Sequence, residues 1–143
     1  MAAYTTIDDP SAYFKVQLYT GNGSADHSIS LDGSENIQPD MVWIKNTSSA
    51  LYAWNNYDVL RGVQKLLVLN STAAEATNAQ GLLSFESTGF TTGATGITND
   101  NPWNYRAWAW KAGGTGVANT DGTINSTVSV TSSAGFSLVK YTG

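Results

Sequence analysis

The stretch that decides the fold spans residues 103–114 and reads Trp103-Asn104-Tyr105-Arg106-Ala107-Trp108-Ala109-Trp110-Lys111-Ala112-Gly113-Gly114. At the two-residue period of a β-strand, one face carries Asn104, Arg106, Trp108 and Trp110. The other face carries Trp103, Tyr105, Ala107, Ala109 and Lys111. The small alanines on this second face allow another sheet to approach closely, and the glycine pair that follows ends the strand. The pattern predicts the central core strand of a β-sandwich.

The tryptophans of this strand have two interpretations. Each aromatic side chain can bury ~150–250 Å², so Trp108 and Trp110 are interpreted as core residues. The alternative is that flat, exposed rings form a platform for sugars. Trp103 follows the turn segment Asn99–Pro102 and is expected at a loop edge, where both interpretations stay open.

Composition limits the class of protein. The chain has 143 residues, which is one domain with a real core. Charged residues make up only 13%, about half the usual share, and the resulting neutral, hydrogen-bonding surface is typical of an extracellular or virion-exposed β-protein. The net charge is −4 and basic residues do not cluster, so no nucleic-acid partner is expected. No apolar run approaches the ~20 residues that span a bilayer, so no membrane insertion is expected.

Two further features concern the compartment. Cysteine is absent, which excludes disulfides, metal–thiolate sites and cysteine nucleophiles. The segment Met1–Pro10 lacks the basic and apolar parts of a signal peptide. We therefore expect synthesis in a host cytoplasm followed by release through lysis.

Short apolar runs alternate with turn residues at intervals of roughly ten residues, the rhythm of an all-β chain. About ten strands are predicted: Ala12–Thr20, His27–Leu31, Met41–Asn46, Leu51–Tyr57, Val63–Leu69, Gly81–Glu86, Gly89–Thr92, Trp103–Lys111, Gly122–Val130 and Gly135–Tyr141. The only helical candidate is a short surface helix at Ser71–Gln80, with a loop as its alternative. The predicted fold is an antiparallel two-sheet β-sandwich.

The domain organisation follows from an echo between the two ends. Residues 1–13 are predicted to form an N-terminal arm and residues 14–143 a single β-sandwich domain. Phe14–Gly21 lines up with Phe136–Gly143, so that Phe, Tyr, Thr and Gly coincide. We interpret the echo as a module whose opening strand recurs where the next copy would begin; the alternative is convergence of two edge strands. The candidate inter-subunit residues are Phe14, Tyr19, Phe136 and Tyr141.

Patterns for catalysis, cofactors and metals are weak. The single histidine, His27, has no Gly-x-Ser-x-Gly elbow to serve, and Glu86 is the one acid inside a strand-like run. The acidic and amide residues of Asp32–Asn36 and of Asn99–Asn101 are calcium-ligand types, but ordinary turn chemistry explains them. Arg61 is interpreted as a partner of Asp58 or of a loop carbonyl, with ligand binding as the alternative. No enzyme, no cofactor and no metal site is predicted.

The segment Gln38-Pro39-Asp40-Met41-Val42-Trp43-Ile44-Lys45-Asn46 resembles the Pro-Asp-x-Val-Trp-Ile-Lys-Asn signature of a repeat module found in marine bacteriophage virion proteins. Residues 107–114, Ala-Trp-Ala-Trp-Lys-Ala-Gly-Gly, form a second specific match. Shorter matches follow in the same order over nearly the whole chain: Arg61-Gly62, Glu75–Thr77, Ser84-Phe85, Gly89–Thr91, Asn119–Gly122 and Ala134–Ser137. Relatives often carry Cys where Ala109 stands and Arg where Thr47 stands. The resemblance implies a tail-fibre-like protein with a jelly-roll, concanavalin-like or SPRY-like sandwich.

Two functions are predicted from these features. The first is a non-enzymatic bacteriophage structural protein on the virion surface, a tail-fibre-like or capsid-decoration subunit that forms homo-oligomers and contacts other virion proteins. The second is a lectin-like module that binds host surface polysaccharide. Its candidate glycan-binding residues are Trp54, Asn55, Asn56, Tyr57, Trp103, Asn104 and Tyr105.

Overall fold

The regular secondary structure of the chain is almost entirely antiparallel β-strand, and the computed structural model describes residues 7–143. A 3-10 helix at Pro10–Ala12 precedes the first strand. The strands are β1 (Phe14–Thr20), β2 (His27–Ser30), β3 (Met41–Asn46), β4 (Trp54–Asp58), β5 (Lys65–Val68), β6 (Ala76–Thr77), β7 (Leu82–Glu86), β8 (Gly89–Thr92), β9 (Asn104–Trp110), β10 (Val117–Asn119), β11 (Ser126–Thr131) and β12 (Phe136–Tyr141). Within the described range, no helix is long and apolar enough to cross a bilayer.

The strands form three sheets. The large sheet has the order β1-β9-β3-β4-β5-β6, and the small sheet has the order β2-β8-β7. These two sheets pack face to face, which confirms the predicted antiparallel β-sandwich. A third sheet, the C-terminal sheet, has the order β10-β11-β12 and was not predicted as a separate layer.

The core lies between the large and small sheets. Strand β9 presents Tyr105, Ala107 and Ala109 to it, all fully buried, and the small sheet contributes Leu82 and Phe90. The alanines let the sheets approach, as the sequence predicts. Trp108 and Trp110 alternate with these alanines and therefore point away from the core, so their assignment to it is wrong. Both lie half-buried on the opposite, outer face of the large sheet.

The segment between β5 and β7 differs from its prediction. Ser71–Gln80 forms no helix; its residues 76–77 are extended and pair with β5, where Lys65 Nζ donates to Thr77 Oγ1 at 2.9 Å. A helix here would carry no large apolar side chain to pack on the sheet, whereas the extended chain gains ladder hydrogen bonds. The predicted Gly122–Val130 strand begins later, at Ser126, and β10 was missed because it is only a short edge.

A buried carboxylate fixes the connection to the C-terminal sheet. Asp40 precedes β3 and is 3% exposed. Its Oδ2 accepts from the backbone N–H of Ala112 at 2.7 Å and of Gly114 at 3.2 Å. Charge-assisted bonds of this kind are stronger than neutral ones. The carboxylate therefore holds the chain as it leaves β9 and sets where the C-terminal sheet begins.

Candidate functional site

The outer face of the large sheet carries an aromatic face, defined here as Trp43, Trp54, Trp108 and Trp110. Trp43 lies opposite Trp108 in the β3–β9 register. The Trp54 and Trp108 ring centroids are 4.9 Å apart, and those of Trp43 and Trp110 are 4.8 Å apart. All four side chains are half-buried. The side-chain contacts of this face span three neighbouring strands of the large sheet, β9, β3 and β4.

The C-terminal sheet packs on one end of the aromatic face. The Phe136 ring stacks toward Trp110 with centroids 6.4 Å apart, and Gly113 N donates to Ser129 Oγ at 2.9 Å. At the other end of β12, Lys140 Nζ donates to the Leu60 carbonyl at 3.1 Å. These contacts place the inward side of β12 above β4 and the loop that follows it.

Between these layers lies a cleft of about 320 Å³, called here the interlayer cleft. Its large-sheet wall includes Asn56, Asp58, Arg61 and Leu67, and β12 closes it with residues 138–141. Clefts that take small ligands begin at about this size.

Polar groups in the interlayer cleft are tightly organised. Arg61 Nε contacts Asp58 Oδ2 at 2.6 Å, and Arg61 Nη2 donates to the Asn56 carbonyl at 3.0 Å. These bonds confirm the structural interpretation of Arg61. Its Nη1 lies 3.6 Å from Glu75 Oε2, so two carboxylates compensate its charge.

Three buried polar atoms on this side of the molecule make no hydrogen bond within residues 7–143: Asn56 Oδ1, Arg61 Nη1 and Trp43 Nε1. Asn56 is 7% exposed and stands opposite Trp43 in the β3–β4 register. Buried polar atoms are nearly always paired. At the cleft itself, which Asn56 and Arg61 line, this leaves one acceptor and one donor for a group that both donates and accepts.

The predicted glycan-binding residues are divided between two faces. Asn55, Tyr57 and Tyr105 point into the interior and are at most 1% exposed, so they are wrong as sugar contacts in this fold. They alternate with outward residues on β4 and β9, and no loop carries them. Burial raises the pKa of Tyr57 above its ordinary range, although the nearby Arg61 works to lower it.

The other predicted glycan-binding residues lie at separate places. Trp54 belongs to the aromatic face and Asn56 to the interlayer cleft. Trp103 is half-buried and packs on Tyr52, with ring centroids 5.2 Å apart, while Asn104 is exposed and accepts from Thr20 Oγ1 at 2.9 Å. Trp54 and Trp103 thus do not form one groove. The candidate glycan-binding set omits Trp108, although its alternation with Asn104 and Arg106 was the available signal for an outward position.

The predicted inter-subunit residues lie on two edge strands. In the described part of the chain, β1 and β12 each have one neighbouring strand, so each is the edge of its sheet. Phe14 and Tyr141 are exposed. Tyr19 instead packs within the core, stacked on Tyr105, and Phe136 packs against Trp110.

His27 and the Asn99 loop form a local scaffold. Asn99 Oδ1 lies 2.7 Å from His27 Nδ1, and because an amide oxygen only accepts, His27 donates this bond. The Asn99 amide nitrogen donates to Asn22 Oδ1 at 3.1 Å and to the Ser24 carbonyl at 2.7 Å. Over the residues that the structure describes, no group of three His, Cys, Asp or Glu side chains is placed to hold a metal ion. Both polar atoms of the Asn99 side chain are used in these hydrogen bonds, which hold the loop to His27, Asn22 and Ser24.

Comparison with known proteins gives one kind of match. A family model described as "Domain of unknown function (DUF7483)" matches residues 9–143. No curated protein and no solved structure matches the chain.

Proposed function

Because the chain belongs to this domain family, whose description specifies no function, we propose from its own residues that it is a non-enzymatic, self-assembling structural protein of the bacteriophage virion surface. It would serve as a tail-fibre-like or capsid-decoration subunit. The resemblance of Gln38–Asn46 and of residues 107–114 to phage virion modules supports this assignment, as does the low share of charged residues.

The observation that carries self-assembly is a pair of exposed apolar strips, one on the edge strand β1 and one across the outward face of the C-terminal sheet. The first strip is Phe14, Val16 and Leu18 on the outward side of β1, where Leu18 is 61% exposed. The second strip lies on the outward side of the C-terminal sheet and comprises Val117, Val130, Val139 and Tyr141. Monomeric proteins rarely leave apolar strand edges uncovered, because such edges pair with other chains.

The two strips differ from each other in position and composition. If the β1 strip of one copy packs on the C-terminal strip of the next, the contact is head-to-tail. Head-to-tail contacts generate closed rings or open filaments. The sequence echo between Phe14–Gly21 and Phe136–Gly143 is compatible with such neighbouring edges.

Light scattering over a concentration series tests the assembly. The wild-type chain should exceed its monomer mass of 15.2 kDa, whereas Leu18→Lys and Val139→Lys should each return it to monomer. Leu51→Lys is the matched control, because Leu51 is 92% exposed in a loop outside both strips. A wild-type monomer at every concentration refutes self-assembly. Mass spectrometry of purified particles of the encoding phage should detect the chain, and its absence refutes the virion assignment.

A second candidate function, a lectin-like module for host polysaccharide, has its own observation. Trp54 and Trp108 expose part of their rings side by side on one sheet face, and flat ring surfaces suit the apolar face of a sugar. Replacing Trp54 with alanine should then weaken retention on host polysaccharide without changing the oligomeric state. Unchanged retention would exclude this platform.

A further inference from the structure

We propose that the interlayer cleft is a binding site for a neutral saccharide unit, with Asn56 as its central contact. The proposal goes beyond self-assembly and does not depend on it. It also does not use the Trp54–Trp108 platform, which lies elsewhere on the same sheet face.

The first argument is that Asn56 lowers the stability of the fold. The residue is more than nine-tenths buried, yet its Oδ1 has no hydrogen-bond partner within residues 7–143. Its neighbours in the register are Trp43 on β3 and Leu67 on β5, both large and apolar in body. A leucine at this position would suit that environment better, since an unpaired buried acceptor destabilises the fold. Residues that lower the stability of the fold are found mainly at functional sites, so an unpaired Asn56 at the wall of a cleft indicates a binding role.

The second argument is the donor and acceptor set. At the cleft wall, Asn56 Oδ1 accepts, and Arg61 Nη1, which has the Glu75 carboxylate at 3.6 Å but no hydrogen bond, donates. A hydroxyl group does both, so vicinal hydroxyls of a sugar ring match a set that a carboxylate or an ammonium group matches only in part.

The third argument is charge and shape. Two cations, Arg61 and Lys140, stand beside two carboxylates, Asp58 and Glu75, so the charges around the cleft balance and favour an uncharged ligand over an anion. Leu67 and Leu138 line the cleft on opposite layers and can contact the apolar face of a ring. The volume of about 320 Å³ lies near the lower limit for ligand sites, which restricts the occupant to a small unit of a longer chain.

The test is titration of the full, isotope-labelled chain with the methyl glycosides of glucose, galactose, mannose and N-acetylglucosamine, followed by NMR. At least one should bind with a Kd of about 1–10 mM, as expected for a ligand of this size. Its shifts should centre on the Asn56 side-chain amide and on β12. Glucuronate should bind more weakly.

Asn56→Leu provides two readouts with opposite signs. It should weaken sugar binding at least about tenfold and raise the melting temperature, while the light-scattering mass stays that of the wild type. Asn36→Leu, an exposed asparagine in a loop, is the matched control and should bind as the wild type does. Absence of saturable binding by all four glycosides, shifts centred away from Asn56, tighter binding of glucuronate, or unchanged binding by Asn56→Leu would overturn the proposal. Loss of self-assembly with intact binding would instead refute only the function proposed above.

Discussion

Removal of the Asp40 carboxylate should destabilise the whole domain. In Asp40→Ala, the Ala112 N–H loses a 2.7 Å bond and the Gly114 N–H loses a 3.2 Å bond. Ala112 is buried, so its donor is left unsatisfied at a cost of about 1–3 kcal/mol, and the half-buried Gly114 adds about 1 kcal/mol. The expected loss is roughly 2–4 kcal/mol, a large part of a typical stability of about 5–15 kcal/mol.

Urea denaturation at pH 7, followed by tryptophan fluorescence, measures this loss. Asp121→Ala is the matched control, because Asp121 is exposed, and its effect should stay within about 0.5 kcal/mol. Asp40→Asn keeps an oxygen acceptor and should fall between the two. If Asp40→Ala costs less than about 1 kcal/mol, the carboxylate does not hold the connection.

Three further predictions concern buried tyrosines and one close glycine. Burial raises the pKa of Tyr19, Tyr57 and Tyr105. The free energy of unfolding should therefore be independent of these tyrosines below pH ~10, where they are protonated in both states. Above pH ~10 it should fall by about 1.4 kcal/mol per pH unit for each tyrosine that stays protonated when folded. The measurement is urea denaturation from pH 9 to 11, and a free energy of unfolding that does not change with pH would contradict the prediction. Tyr57→Phe should reduce that slope, and at pH 7 it should leave stability unchanged or raise it by about 1 kcal/mol, because the Tyr57 hydroxyl makes no hydrogen bond within residues 7–143. Gly113→Ala would place a Cβ against the Val130 carbonyl oxygen, closer than real Cβ atoms approach, so it should displace the C-terminal sheet and increase proteolysis there. Gly122→Ala meets nothing closer than 3.9 Å, and equal proteolysis of the two variants would contradict the close approach.

The sequence predicts the sandwich well because alternation and turns are local signals. Strand β9 was found with both faces correctly sorted, since period two is visible in residues 103–111 alone. What alternation cannot decide is which face is inside. Large aromatics favoured the Trp108 face, whereas the alanines opposite belong to the core because two sheets meet there.

The interlayer cleft was beyond the reach of local patterns. Asn56 and Lys140 are distant in the sequence, and only the packing of the C-terminal sheet brings their strands together. Asn56 is among the predicted glycan-binding residues, but the reason for that prediction is its closeness to Trp54 in the chain, and the cleft plays no part in it. Arg61 was correctly paired with Asp58, because a three-residue separation is a local relationship.

The two faces of β9 contact different parts of the molecule, and this separation has a consequence for how the sequence can change. The interior sealed by Ala107 and Ala109 involves only the large and small sheets, and the C-terminal sheet rests on tryptophans outside it. Mutations in residues 117–141 therefore leave the packing of the core between the large and small sheets intact. Substitutions on the outward face of the C-terminal sheet should therefore alter surface contacts while the packing between the large and small sheets stays the same.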